Sequence, residues 1–121
     1  MGASMPVLVV AKPGPLRDSL VALLKSLPQV STVEQANTAA AALRTIEVKR
    51  PALVVVDSNL PGGDACSMLN QVKARCPHTQ CVVLSDTVQQ YRQAEAAGAS
   101  QVLLTGVPAT KLSVTLEGLL S

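Results

Sequence analysis

The sequence predicts a three-layer α/β domain, with five parallel strands in one doubly wound sheet and helices on both faces. Three observations predict it. Short apolar runs rich in β-branched residues recur at Val7–Val10, Ala52–Val56 and Cys81–Leu84, and such runs suit strands buried on both faces. Segments with leucine or alanine at helical spacing lie between them. Proline or glycine stands at most junctions, as at Pro13-Gly14-Pro15, Pro28, Pro51, Pro77 and Gly98. Strands that alternate with helices pair in parallel, because each crossover carries a helix back over one face of the sheet. The chain has 121 residues, room for one core and no second. Residues 1–4 read as a leader or expression scar ahead of the first patterned element, and residues 5–121 as the domain.

Strand one is Val7 to Val10, cut off by the Pro13-Gly14-Pro15 turn. Leu16, Leu20, Leu23, Leu24 and Leu27 fall on one helical stripe between Pro15 and Pro28, which defines the first helix. Val30 to Ala36 is a second strand with polar interruptions, and Asn37 is placed to cap a helix that runs through Lys49 and stops at Pro51. Ala52 to Asp57 is the third strand, opening into the turn-rich segment Ser58-Asn59-Leu60-Pro61-Gly62-Gly63. A helix restarts near Asp64 with Met68, Leu69, Val72 and Cys76 inward, and Pro77 ends it. Cys81 to Leu84 gives strand four, ending at Ser85-Asp86. Val88 to Ala97 reads as a polar helix closed by Gly98, and Val102 to Leu104 as strand five. Pro108 opens a last helix whose buried face is Leu112, Leu116, Leu119 and Leu120.

Composition excludes several functions. Hydrophobic residues make up 48% of the chain and charged residues 15%, which favours a packed core over disorder. There is no Phe, no Trp and a single Tyr, Tyr91, and the net charge of +2 comes from scattered rather than clustered residues. Bases therefore find neither stacking platforms nor a basic patch, and no nucleic-acid contact by this domain is expected. No apolar stretch approaches a membrane span and no signal region follows the N-terminus, so membrane association is not expected and the location is read as cytoplasmic. Cys66, Cys76 and Cys81 have the spacing of neither a metal knuckle nor a disulfide framework, and they read as reduced thiols. His78 lies in a Pro-flanked turn with no partner for a nucleophilic triad or a histidine-centred metal site. Neither GxGxxG nor GxxxxGK(S/T) follows strand one. No catalytic residue and no metal ligand set is identified, and the chain reads as a non-enzyme.

In a doubly wound sheet, function gathers at the carboxyl ends of the strands. Here those positions are Ala11, Lys12, Asp57, Ser85 and Thr105. An aspartate closing an apolar strand over a loop is placed to act as a nucleophile or ligand, or to hydrogen-bond the following turn. From Val7 to Leu120 the sequence resembles the receiver domain of bacterial two-component response regulators, a flavodoxin-like (βα)5 sandwich. Val54-Val55-Val56-Asp57-Ser58-Asn59-Leu60-Pro61-Gly62-Gly63-Asp64 is similar to that family's phospho-acceptor strand and loop. The resemblance makes Asp57 the acceptor, Ser85 the hydroxyl residue after strand four, and Ala97-Gly98-Ala99 the motif before strand five. Pro51 before strand three fits as well. Gly106-Val107-Pro108 resembles regulators that carry helix-turn-helix output domains.

The departures matter as much. Where receivers end strand one with two acidic residues that hold Mg²⁺, this chain has Ala11 and Lys12; where they have a strand-five lysine it has Thr105, and the switch aromatic is Val102. Asp57 and the backbone carbonyl of Asn59 would be the remaining ligands, so Mg²⁺ binding is expected to be weak or absent and no other cofactor is implied. Lys12 suggests a substitute. If its ammonium enters the crevice it pairs with Asp57, an attraction on the order of 4 kcal/mol at about 4 Å before desolvation. The resemblance thus implies an atypical receiver of a phosphorelay that acts by protein recognition. Its partner, or its second copy, would bind the fourth helix, fifth strand and fifth helix, a face carrying Tyr91, Arg92, Glu95, Val102, Val107, Lys111 and Leu112. The alternative is a receiver that still accepts phosphate on Asp57 from a histidine kinase. A small-ligand binder using the same crevice lacks a phosphate loop and a stacking aromatic.

Overall fold

The computed structural model describes residues 5–60 and 65–120. The reading of residues 1–4 as a leader and of a helix start near Asp64 lie outside the described residues. The elements alternate without exception: β1 (Met5–Val10), α1 (Pro15–Lys25), β2 (Val30–Ala36), α2 (Ala39–Lys49), β3 (Leu53–Asp57), α3 (Ala65–Arg75), β4 (Gln80–Ser85), α4 (Val88–Ala96), β5 (Gln101–Leu104) and α5 (Ala109–Leu120). The strands form one parallel sheet in the order β2-β1-β3-β4-β5. The α/β three-layer expectation is met.

The apolar runs are uninterrupted because both faces of the central strands are covered. Leu8, Val10, Val54, Val56 and Val83 point to a core completed by Ile46 of α2, Met68, Leu69 and Val72 of α3, and Ala94 of α4. Their neighbours Val7, Val9, Leu53, Val55 and Val82 point the other way, to Leu20 and Leu24 of α1 and Leu116 and Leu120 of α5. Side chains alternate across a strand, so a strand that must bury both faces has to be apolar at every position. Among the described residues no helix is long and apolar enough to cross a membrane.

Local chemistry differs from the sequence expectation in two places. The cap of α2 is Thr38, whose hydroxyl accepts the Ala41 N–H at 3.2 Å, and not Asn37. Asn37 instead accepts a hydrogen bond from the Arg17 guanidinium, a long-range contact that competes for its side chain. Leu16, assigned to the inward stripe of α1, is 38% exposed; the stripe starts at Leu20 and takes in Val21 instead. Leu16 lies in the first turn, where the helix has only just left the edge of the crevice. At the other end of α2, Arg50 takes the left-handed conformation at φ 47, donates its N–H to Ile46 O and hands the chain to Pro51. Gly98 closes α4 at φ 94, and a Cβ there would come within 2.8 Å of the Lys73 side chain.

Candidate functional site

The strand order puts the carboxyl ends of β1, β3, β4 and β5 side by side, and the order in which the chain adds strands reverses between β1 and β3. Backbone bonds continue the ladders one step past the strands. Ser58 N–H donates to Leu84 O at 2.9 Å and Thr105 N–H to Ser85 O at 2.8 Å. The five strand-end residues singled out from the sequence therefore share one edge, but they are not alike. Asp57 is 5% exposed and Ser85 fully buried. Ala11 is buried, whereas Lys12, Asn59 and Thr105 are exposed.

Asp57 closes β3 over its own turn. Its Oδ1 accepts the Asn59 N–H at 3.0 Å, the short-range bond by which aspartate stabilises a turn. Among the described residues its second oxygen accepts no hydrogen bond. Beside it the hydroxyls of Ser58 and Ser85 lie 3.0 Å apart and share a hydrogen bond.

Lys12 does not pair with Asp57. Among the described residues the recorded ion pairs are Lys49–Glu34 and Arg75–Glu47, and Lys12 stays exposed to solvent. The chain bends at Pro13-Gly14 immediately after it to enter α1. On this flank the Ala11 carbonyl accepts from Arg17 Nη1 at 3.4 Å.

The opposite flank is a connected polar network. Thr105 Oγ1 donates to Asp86 Oδ1 at 2.7 Å, and Asn59 Nδ2 donates to Asp86 Oδ2. Gln90 Nε2 donates to Asn59 Oδ1 at 2.9 Å, while Gln90 Oε1 accepts the Asp86 N–H at 2.8 Å. Thr87 caps α4 by accepting the Gln90 N–H at 3.1 Å. Thr105, where receivers have lysine, thus reaches Asp86 rather than Asp57. Ser58, Asp86 and Gln90 carried no site expectation. The signal for Gln90 was present: Thr87-Val88-Gln89-Gln90 has the spacing of a capping box. Here its glutamine reaches past the cap to the preceding residue.

The remaining expected residues lie around β5. A groove of about 210 Å³ is lined by Tyr91, Val102, Val107 and Lys111 together with Leu104 and Thr115. Val102 is buried and packs in the core beneath the groove, and Leu112 packs half-buried on the opposite core. Arg92 and Glu95 are exposed on α4. The three cysteines are unbridged; Cys81 is buried in β4, and burial pushes its thiol up to about 11, with Lys73 pulling weakly the other way. Among the described residues no group of three or more His, Cys, Asp or Glu is placed to hold a metal ion.

Comparison with known proteins agrees with this geometry. The profile of the response regulator receiver domain matches residues 7–117. The DNA-binding transcriptional activator DevR/DosR of Mycobacterium tuberculosis is 27% identical over 100 residues, which is 81% of this chain and 46% of that protein. The chain therefore spans about half the length of that relative. The signal receiver domain of the putative response regulator NarL from Mycobacterium tuberculosis superposes with a TM-score of 0.86 at 24% identity, over 98% of this chain and 97% of the other. The receiver domain of NtrX from Brucella abortus gives 0.84 at 25% identity, over 94% and 97%. A CheY-like receiver domain protein from Methanospirillum hungatei gives 0.86 at 21% identity, over 98% and 94%. With a match that runs through all five strands, this chain belongs to the response regulator receiver domain family, the receivers of two-component signalling.

Proposed function

We propose that this receiver is a pseudo-receiver: it recognises a protein partner, or a second copy of itself, without Mg²⁺-dependent phosphorylation. One observation carries the reading. At the end of β1, beside Asp57, stand the buried methyl of Ala11 and the exposed Lys12, and neither side chain offers an oxygen. Mg²⁺ requires a near-octahedral set of oxygen donors, commonly anchored by more than one carboxylate. Asp57 is the one carboxylate among the three positions, so the donor set does not fit the ion and no step is routed through it.

Phosphoryl transfer is catalysed almost entirely by positioning and by neutralising charge on the transferred group. Thr105 supplies no cation, and among the described residues Lys12 forms no ion pair with Asp57. What remains intact is the scaffold and the groove beside α4, where Tyr91 and Lys111 flank Val107 and Leu104. A tyrosine lining an apolar groove is the type of residue that anchors protein interfaces. In this reading the chain is a cytoplasmic binding module rather than a catalyst. DevR/DosR, named as a DNA-binding activator, is about twice as long, and a partner or output domain would read this face on the receiver's behalf.

A second reading, acceptance of phosphate on Asp57 from a histidine kinase, is favoured by the Asp57 oxygen that accepts no hydrogen bond among the described residues and by the neighbouring Ser58–Ser85 hydroxyl pair. Intact mass after incubation with acetyl phosphate and Mg²⁺ separates the two. The pseudo-receiver gains no phosphoryl group, and a variant carrying Ala11→Asp, Lys12→Asp and Thr105→Lys gains one. A gain on the native chain that disappears in Asp57→Asn overturns the proposal in favour of the second reading.

A further inference from the structure

We infer that Asp86 is a latch that holds α4 in one position whatever the chemical state of Asp57, so that the face bearing Tyr91 is presented constitutively. This deepens the pseudo-receiver reading and rests on it. The α4 helix is weakly held by packing: of Val88–Ala96, Ala94 alone is buried. Beneath it lies a cavity of about 110 Å³ lined by Ser58, Leu69, Val83, Gln90 and Ala94. A helix with so little apolar burial belongs to the readily opened part of a fold, and its placement falls to whatever polar contacts pin its end. Those contacts converge on one residue, whose carboxylate holds the two neighbouring loops and whose backbone N–H holds α4. Asp86 accepts from Thr105 after β5 and from Asn59 after β3, and donates its N–H to Gln90 in the first turn of α4. Gln90 closes the ring by donating to Asn59 at 2.9 Å. Three segments that come from three different crossovers are thereby tied to α4.

The residues of the ring are exposed or half-buried, and a lone exposed bond contributes little. Here the partners are preset by the ladders, since Thr105 N–H is already bonded to Ser85 O and Ser58 N–H to Leu84 O. Closing the ring thus orders few additional groups, and linked hydrogen bonds reinforce one another. Asp57 is not a member. Its carboxylate touches the ring through the backbone N–H of Asn59 alone, so charge added there has no side-chain path to Asp86.

Tyr91 makes the test direct, because it is the single aromatic residue of Phe, Trp and Tyr in the chain and sits on α4. Amide hydrogen exchange and the Tyr91 ring resonances are compared in the full wild-type chain, Asp86→Ala, Thr105→Val and Asp57→Glu. Asp86→Ala is expected to raise exchange across residues 87–96 about tenfold and to move the Tyr91 signals. Thr105→Val does the same to a smaller extent, β1, β3 and β4 keep their protection, and Asp57→Glu changes neither readout. Unchanged exchange over 87–96 in Asp86→Ala overturns the latch, as does a response to Asp57→Glu as large as that to Asp86→Ala. Phosphoryl uptake on Asp57 that leaves α4 exchange unmoved would sink the pseudo-receiver reading and uphold the latch, so the two fail separately.

Discussion

The two flanks of the crevice are built in opposite ways. On the β1 flank Ala11 is a buried methyl, Lys12 is exposed, and Arg17 reaches the Ala11 carbonyl. On the β4–β5 flank nearly every polar side chain is engaged: Ser58 with Ser85, and Asn59, Asp86, Gln90 and Thr105 with one another. Phosphoryl chemistry needs charge on the first flank, where a cation would gather oxygen ligands. Recognition needs shape and order on the second, where α4 and its tyrosine are positioned. In the proposed reading, a first flank without charge and a densely bonded second equip the domain for binding rather than for transfer.

Four experiments break or sharpen that contrast, taken from the largest effect down. Leu69 of α3 is fully buried in the core that also holds Val56, Val83 and Ala94 of α4. Leu69→Ala should lower stability by about 3 kcal/mol, from lost burial plus the cavity left behind, and should speed exchange on both sides of the crevice. A loss confined to α4 in hydrogen exchange would mean that the flanks do not share a floor.

The next effect is alkaline. The Cys81 thiol in β4 is raised by burial from its ordinary 9.0 to about 11. Between those values the unfolded chain has released this proton and the folded one has kept it, so stability is intact below pH 9 and declines as pH rises toward 11, by about 2 kcal/mol at the far end. The fall in melting temperature across that window should be shallower in Cys81→Ala, whose other titrations are the same. Equal slopes in the two proteins would show that β4 opens to solvent without global unfolding.

Ser85 and Lys12 provide the sharpest pair. Ser85→Ala removes the partner of the Ser58 hydroxyl at a fully buried position and should cost about 1 kcal/mol in chemical denaturation. Lys12→Ala touches no ion pair and should change stability by less than about 0.5 kcal/mol. If Lys12→Ala proved the more damaging of the two, the β1 flank would hold an interaction absent from this structure, and the contrast would reverse.

Much of this was legible in the sequence because the information is local. Runs such as Leu53-Val54-Val55-Val56 are apolar at every step, which few settings other than a doubly covered strand require. The leucine stripe of α5 and the prolines at 51, 77 and 108 fix where helices run and stop. Counting along those elements was enough to put Asp57 and Ser85 at strand ends. Leu16 failed for a reason that helical periodicity cannot express: it has the right spacing, but the first turn of α1 stands beyond the edge of the core. Asn37 failed because a residue next to an equally good cap, Thr38, was claimed by Arg17, 20 positions away in sequence.

The sequence by itself determined the strands, the helices, the parallel sheet and the acid-poor end of β1, since each is written in neighbouring residues or in the identity of one side chain. Tertiary structure alone decided that Lys12 and Asp57 do not pair and that the Asp86 ring closes. Asn59 and Asp86 are separated by 27 positions and Asp86 and Thr105 by 19, so their meeting depends on how three crossovers bring their loops to one edge. A hydrogen bond is made or lost over less than an ångström, and no periodicity in a chain specifies the distance between loops to that precision.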